Sequence, residues 1–222
     1  MIYLPVSIVL FLILILLFPF IWVAITLDVV EVAVSKLGFS PTVAFFLLAA
    51  VLIGSVINIP LYKVESSVTI VSDFTELWLR QFWGIPLRKV QQQTIIALNV
   101  GGGLIPVGLA LYQFTRANTS AILIVTAIVT CVCYFSAHVV PGIGIQMNAL
   151  IAPLTASLSA VLLTEGQAPS VAFAGGILGT VIGADLLHLK EIQRMTPGVL
   201  SIGGAGVFDG IALCGLVALL LT

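Results

Sequence analysis

Charge is what this chain has least of. Only 8% of its 222 residues are charged, eight Lys or Arg against nine Asp or Glu for a net charge of −1, whereas an ordinary soluble domain has about a quarter. No basic stripe with interleaved aromatics exists on which a phosphate backbone could lie, so no nucleic-acid partner is expected. Histidine and cysteine are scarce too, at two and three residues. Cys131, Cys133 and Cys214 lie in apolar segments without CxxC or Cys/His spacing, which argues against a disulfide framework or zinc site and leaves them as small packing residues. Neither a metal nor another cofactor is expected.

Hydrocarbon takes the place of charge: 60% of the residues are hydrophobic. Apolar runs of about 18 to 25 residues, each able to cross about 30 Å of bilayer core as a helix, can be counted seven times, at 3–27, 41–61, 94–114, 119–139, 143–164, 168–188 and 199–221. The expected fold class is therefore all-α, a polytopic transmembrane helix bundle forming one integral membrane domain over 1–222. The first run lacks a basic n-region and is too long for a signal-peptide core, so it is read as a retained span.

Basic residues orient the bundle, because short cytoplasmic loops retain them. Lys63, Arg80, Arg88, Lys89, Lys190 and Arg194 fall on one side, and Lys36 and Arg116 on the other. That places the N-terminus in the cytoplasm and the C-terminus outside a plasma or inner membrane. The loop 62–93 is the one sizeable polar segment. In it "VESSVTIVSDF" alternates in part like a strand, and "FTELWLRQFWG" reads as an interfacial helix.

Two pairs of segments repeat. "VGGGLIPVGLAL" (100–111) aligns without gaps to "IGGAGVFDGIAL" (202–213), and "GSVINIPLYK" (54–63) aligns to "GTVIGADLLH" (179–188). The same order in both copies predicts a parallel internal repeat, spans one to three and five to seven, with glycine-rich broken helices in spans three and seven. The first copy has Pro60 where the second has Asp185, and Val107 where it has Asp209. The scaffold therefore does not require either acid.

An ionisable residue inside a span costs about 2.5 to 3.5 kcal/mol on insertion scales, and is a functional hypothesis by default. Asp185 would lie about 7 Å from the cytoplasmic end of its helix, and Asp209 about 12 Å deep if helix begins near Ser201. Gly203, Gly204 and Gly206 permit such a late start. Gly175, Gly179 and Gly183 recur every four residues, a spacing that lets helices approach closely. Two carboxylates in one partly dry site share a proton, so that one activates water while the other polarises a carbonyl.

In this arrangement "IGAD" (182–185) and "GAGVFD" (204–209) resemble the paired motifs of GxGD-type intramembrane aspartyl proteases. The likeness covers about 40 residues, without the Tyr-Asp of the first motif and with residues inserted between glycine and aspartate in the second. It implies Asp185 and Asp209 as a catalytic diad and a membrane-embedded peptide as substrate. More of the chain, particularly 54–62, 99–114 and 142–213, resembles an uncharacterised bacterial and archaeal multi-spanning membrane family, which implies a polytopic fold and no established activity.

Asn58, Asn99, His138, Gln146, Asn148 and His188 are further polar residues within the spans. They would line a path, or bond between helices, the commoner use. His188 follows Asp185 by three residues on one helical face. Two readings result: a protease-like enzyme using Asp185 and Asp209, and an ion- or proton-coupled transporter or channel built from two repeats. Either is compatible with an oligomer in the lipid bilayer.

Overall fold

The structure, a computed structural model, describes residues 6–69, 89–140, 144–192, 199–204 and 210–222. The chain divides into two compact units, Met1–Ala49 and Ala50–Thr222. The first contains α1 (Val6–Ser35), a 30-residue helix that continues through Asp28 and Glu31. It ends where Gly38, at φ 81°, donates its N–H to Ser35 O at 2.8 Å, a left-handed stop that favours glycine. α2 (Pro41–Gly54) begins in this unit and ends in the next.

In the second unit the chain leaves helix where apolar length alone predicted more of it. After Gly54 it becomes extended, and β1 (Asn58–Thr69) pairs antiparallel with β2 (Lys89–Asn99), from Asn58 opposite Asn99 to Thr69 opposite Lys89. The reason is local. Ile59 precedes Pro60, which excludes the helical region for the residue before it, and Thr94, Ile95 and Ile96 open the apolar part of β2 with β-branched side chains. The register slips between Pro60 and Tyr62, where proline has no N–H to give.

A turn of π-helix at Val100–Leu104 leads into α3 (Ile105–Gln113). α4 (Thr119–Ser136) follows, capped by Asn118, whose side chain accepts from Ala121 N at 3.1 Å. A short ribbon, β3 (His138–Val140) against β4 (Gly144–Gln146), runs from the end of the expected fourth span into the start of the fifth. α5 (Ile151–Leu163) and α6 (Ala168–Thr180) come next. The helix of α6 continues as π-helix through Val181–Leu186 and is followed by the short α7 (Leu189–Ile192). β5 (Val199–Ile202) then lies parallel to β2, Ile95 opposite Val199 and Leu98 opposite Ile202, giving the sheet order β1-β2-β5. α8 (Gly210–Leu221) closes the chain.

The fold is thus mostly α-helical, with strands that the all-α expectation did not include. Among the described residues two helices are long and apolar enough to cross a membrane by length and composition, Thr119–Ser136 and Ala168–Leu186. The segments 41–61, 94–114 and 143–164 have shorter apolar helices, Pro41–Gly54, Val100–Gln113 and Ile151–Leu163. The expected interfacial helix in 74–84 lies outside the described residues.

α6 is the central helix, buried without a break from Val171 to Ile177. Its four-residue glycine spacing receives α4. A Cβ on Gly175 would meet Val125 Cγ1 at 2.5 Å, one on Gly179 would meet Val129 Cβ at 2.6 Å, and one on Gly183 would run into Thr130 O. Both series ascend by about four residues, so α4 and α6 run parallel. The outer faces are apolar and exposed: Leu123, Ile124, Ile128 and Phe135 on α4, and Leu154, Leu158 and Leu162 on α5.

Candidate functional site

Among the described residues of the second unit helix takes the π form twice, and residues singled out from the sequence occur at both places. The first follows β2. Asn99, only 2% exposed, caps the π-helical turn by accepting from Gly102 N at 2.8 Å. Its amide donates to Ser55 O at 2.7 Å and to Asn58 Oδ1 at 3.1 Å, and the Ser201 hydroxyl of β5 donates to the same Asn58 oxygen. The end of α2, both long strands and β5 are thereby tied at one polar node.

Glycine makes the crossing possible. Any side chain on Gly101 would overlap the Val51 carbonyl, and Gly203, at φ 72°, would place a Cβ 2.6 Å from Gly103 N. Gly204 closes the turn through its N–H to Ser201 O at 3.1 Å. Gly206 and Asp209 lie outside the described residues.

The second interruption is the π-helical segment that ends the long helix begun by α6. Leu187 N donates to Ile182 O at 3.0 Å, an i to i+5 bond, and Asp185 sits half-buried on this segment. π-turns of this kind recur at functional sites. His188, 5% exposed, turns its Nδ1 to Gly183 O and Ala184 O, each at 3.1 Å. Its ring lies 5.0 Å from that of Tyr134 of α4, tilted by 33°.

Asp185 also belongs to a helix that packs on α8. A Cβ on Gly215 would meet Ile177 Cδ1 at 2.8 Å and Phe173 Cε2 at 2.9 Å. The two helices are antiparallel. Asn118, just beyond the C-terminal end of α3, donates its N–H to Gln167, just before α6, at 3.0 Å. The approach to α8 at Gly203 instead meets Gly102 and Gly103, at the opposite end of α3.

Residues 52–221 match the family model described as a protein of unknown function (DUF1614). The chain belongs to this family. No curated protein and no solved structure matches the chain. The DUF1614 match covers nearly all of the second unit, so the polar node, Asp185, Asp209 and α8 all lie within the family's extent, and α1 precedes it. The expected resemblance to an uncharacterised family is met at this level.

The remaining polar residues singled out in this DUF1614 chain separate into another group. His138 and Gln146 face each other across the β3–β4 ribbon, and Asn148 accepts from Leu150 N at 3.0 Å just before α5. Among the described residues no group of three or more His, Cys, Asp or Glu could hold a metal ion. Sequence reasoning missed Ser201, although the repeat alignment sets it against Asn99. It missed Tyr134, for which no local signal existed. It also missed Gln113, which is fully buried with neither amide atom hydrogen-bonded.

Proposed function

We propose that this protein is a single polytopic membrane domain acting as an intramembrane aspartyl-protease-like enzyme, with Asp185 and Asp209 as its acid pair. The observation that carries the reading is the antiparallel packing of α6 and α8 at Gly215. From the level of Phe173 and Ile177, Asp185 lies about 12 to 18 Å along its helix at about 1.5 Å per residue, and from Gly215 the start of α8 at Gly210 lies about 8 Å in the same direction. In sequence Asp209 immediately precedes Gly210, so both acids belong to the chain ends that this packing turns to one side, which supports their pairing.

In such a pair the first ionisation makes the second harder, so one carboxyl stays protonated. The carboxylate takes a proton from water, which attacks the scissile carbonyl, while the protonated partner donates to the carbonyl oxygen. Collapse breaks the C–N bond and delivers a proton to the leaving amine. The exposed apolar faces of α4 and α5 support a lipid surrounding, since so much contiguous apolar surface is costly in water. The charge asymmetry supports a cytoplasmic N-terminus and a cytoplasmic or interfacial 62–93 segment.

The test uses a single-span reporter peptide in detergent micelles with the purified chain. Asp185→Asn and Asp209→Asn each abolish cleavage while eluting as the folded protein does. Cleavage that survives in both variants removes the acids from the mechanism.

A second reading is supported by the polar node. β2 and β5 run side by side in parallel, and the glycine-rich segments at their ends, 100–111 and 202–213, align in sequence. Two parallel repeats with broken spans around a polar centre suit an ion- or proton-coupled transporter. Uptake into proteoliposomes that depends on pH or sodium, and persists when both acids are neutralised, would move the function to this node.

A further inference from the structure

We infer that His188 is the positioning residue of Asp185, a side-chain clamp on the carbonyls at the end of the π-helical segment. A helix leaves its last carbonyls without backbone donors. Here the i to i+5 ladder is used up when Leu187 N reaches Ile182 O, and the next two carbonyls, Gly183 and Ala184, receive His188 Nδ1 instead, each at 3.1 Å. A carbonyl can only accept, so Nδ1 bears the proton and the tautomer is fixed by the contact.

The link to Asp185 is covalent. The Ala184 carbonyl belongs to the same planar peptide as the N–H of Asp185, so holding that oxygen holds the plane from which the Asp185 side chain departs. α4 supports the clamp from the far side. The Tyr134 ring packs against the imidazole at 5.0 Å, tilted by 33°, and a Cβ on Gly183 would stand 3.0 Å from Cys133 Cβ. The imidazole acts on the acid through the backbone. This rests on the reading of Asp185 as a working acid, and the experiments separate the two.

The chain has two histidines, so His138→Gln leaves His188 as the one imidazole. ¹⁵N NMR of histidine-labelled protein in micelles shows the Nδ1-protonated tautomer; the Nε2-protonated form overturns the clamp. The second arm compares His188→Asn with His188→Gln, both polar and of similar volume, each checked for monodisperse elution. The Asn amide nitrogen takes the place of Nδ1, whereas that of Gln takes the place of Nε2. With Cys131→Ser and Cys214→Ser, Cys133 is the sole thiol against the clamped turn. His188→Gln then speeds its labelling by a membrane-permeant maleimide about tenfold, and His188→Asn leaves it within about twofold. Equal rates for the two variants overturn the inference.

On the reporter peptide, His188→Gln lowers kcat with KM unchanged and His188→Asn retains kcat. Full kcat in His188→Gln also overturns it. Cleavage that persists in Asp185→Asn overturns the protease reading instead, and the tautomer and thiol results then judge the clamp alone.

Discussion

Adding one methyl group to α6 tests the packing that places Asp185. In Gly179→Ala the new Cβ arrives 2.6 Å from Val129 Cβ, 2.7 Å from Val129 Cγ1 and 3.0 Å from Thr126 O. Two carbon atoms rest comfortably at about 3.5 to 4.0 Å, so α4 must retreat by about 1 Å at this level. The contact is against a Cβ and a backbone carbonyl, and a rotamer change of Val129 relieves neither. Overpacking of this kind costs about 1 to 3 kcal/mol, and replacing a helical glycine by alanine returns about 0.5 to 1 kcal/mol. The net expectation is a loss of about 1 to 2 kcal/mol.

Gly108 of α3 is the internal control, because a Cβ there meets nothing within 4 Å, so Gly108→Ala shows only the propensity gain. Thermal unfolding in micelles measures both, and Val129→Ala combined with Gly179→Ala recovers part of the loss through the cycle. If Gly179→Ala is as stable as Gly108→Ala, the close parallel approach of α4 and α6 is wrong, and the placement of Asp185 against α4 is wrong with it.

Asn99→Ala strands Ser55 O and Gly102 N in a buried setting and costs about 2 to 4 kcal/mol, read as a lowered Tm; a loss below about 0.5 kcal/mol refutes the polar node. Gly101→Ala cannot coexist with the Val51 carbonyl, and the purified variant is expected to aggregate or elute as misfolded material. Gln113→Met keeps the volume and removes two buried unpaired polar atoms, so it raises stability by about 1 to 3 kcal/mol. A destabilised Gln113→Met means that the amide has a partner.

Among the described segments, α4 and α6 were readable because a membrane-length apolar run with small residues every four positions has one good solution, a helix packed through its glycines. The strands were not. Apolar runs such as "TIIALN" suit a buried strand as well as a helix, and the partner that decided, β1, lies across a segment read mainly as loop. Only the partial alternation in "VESSVTIVSDF" hinted at β1. For the site, the i to i+3 spacing set His188 on one helical face with Asp185, but it contained no sign of the π-turn whose Gly183 and Ala184 carbonyls meet the imidazole. Asn58 and Asn99 were read as lining a path or bonding between segments, and the structure shows Asn99 capping the π-helical turn and bonding to Asn58 across the strands.

Low charge, apolar length, glycine spacing and the two acids within apolar segments are properties of the chain itself, and they limit the surroundings in which it can fold. Which apolar stretches become helix and which become strand depended on neighbours far along the chain, since a strand's hydrogen bonds must be supplied by another segment. The antiparallel docking of α8 on α6, the joining of β5 to β2 and the turning of His188 onto the backbone are all long-range or irregular contacts. They arise only when the whole second unit packs, and local periodicity contains no record of them.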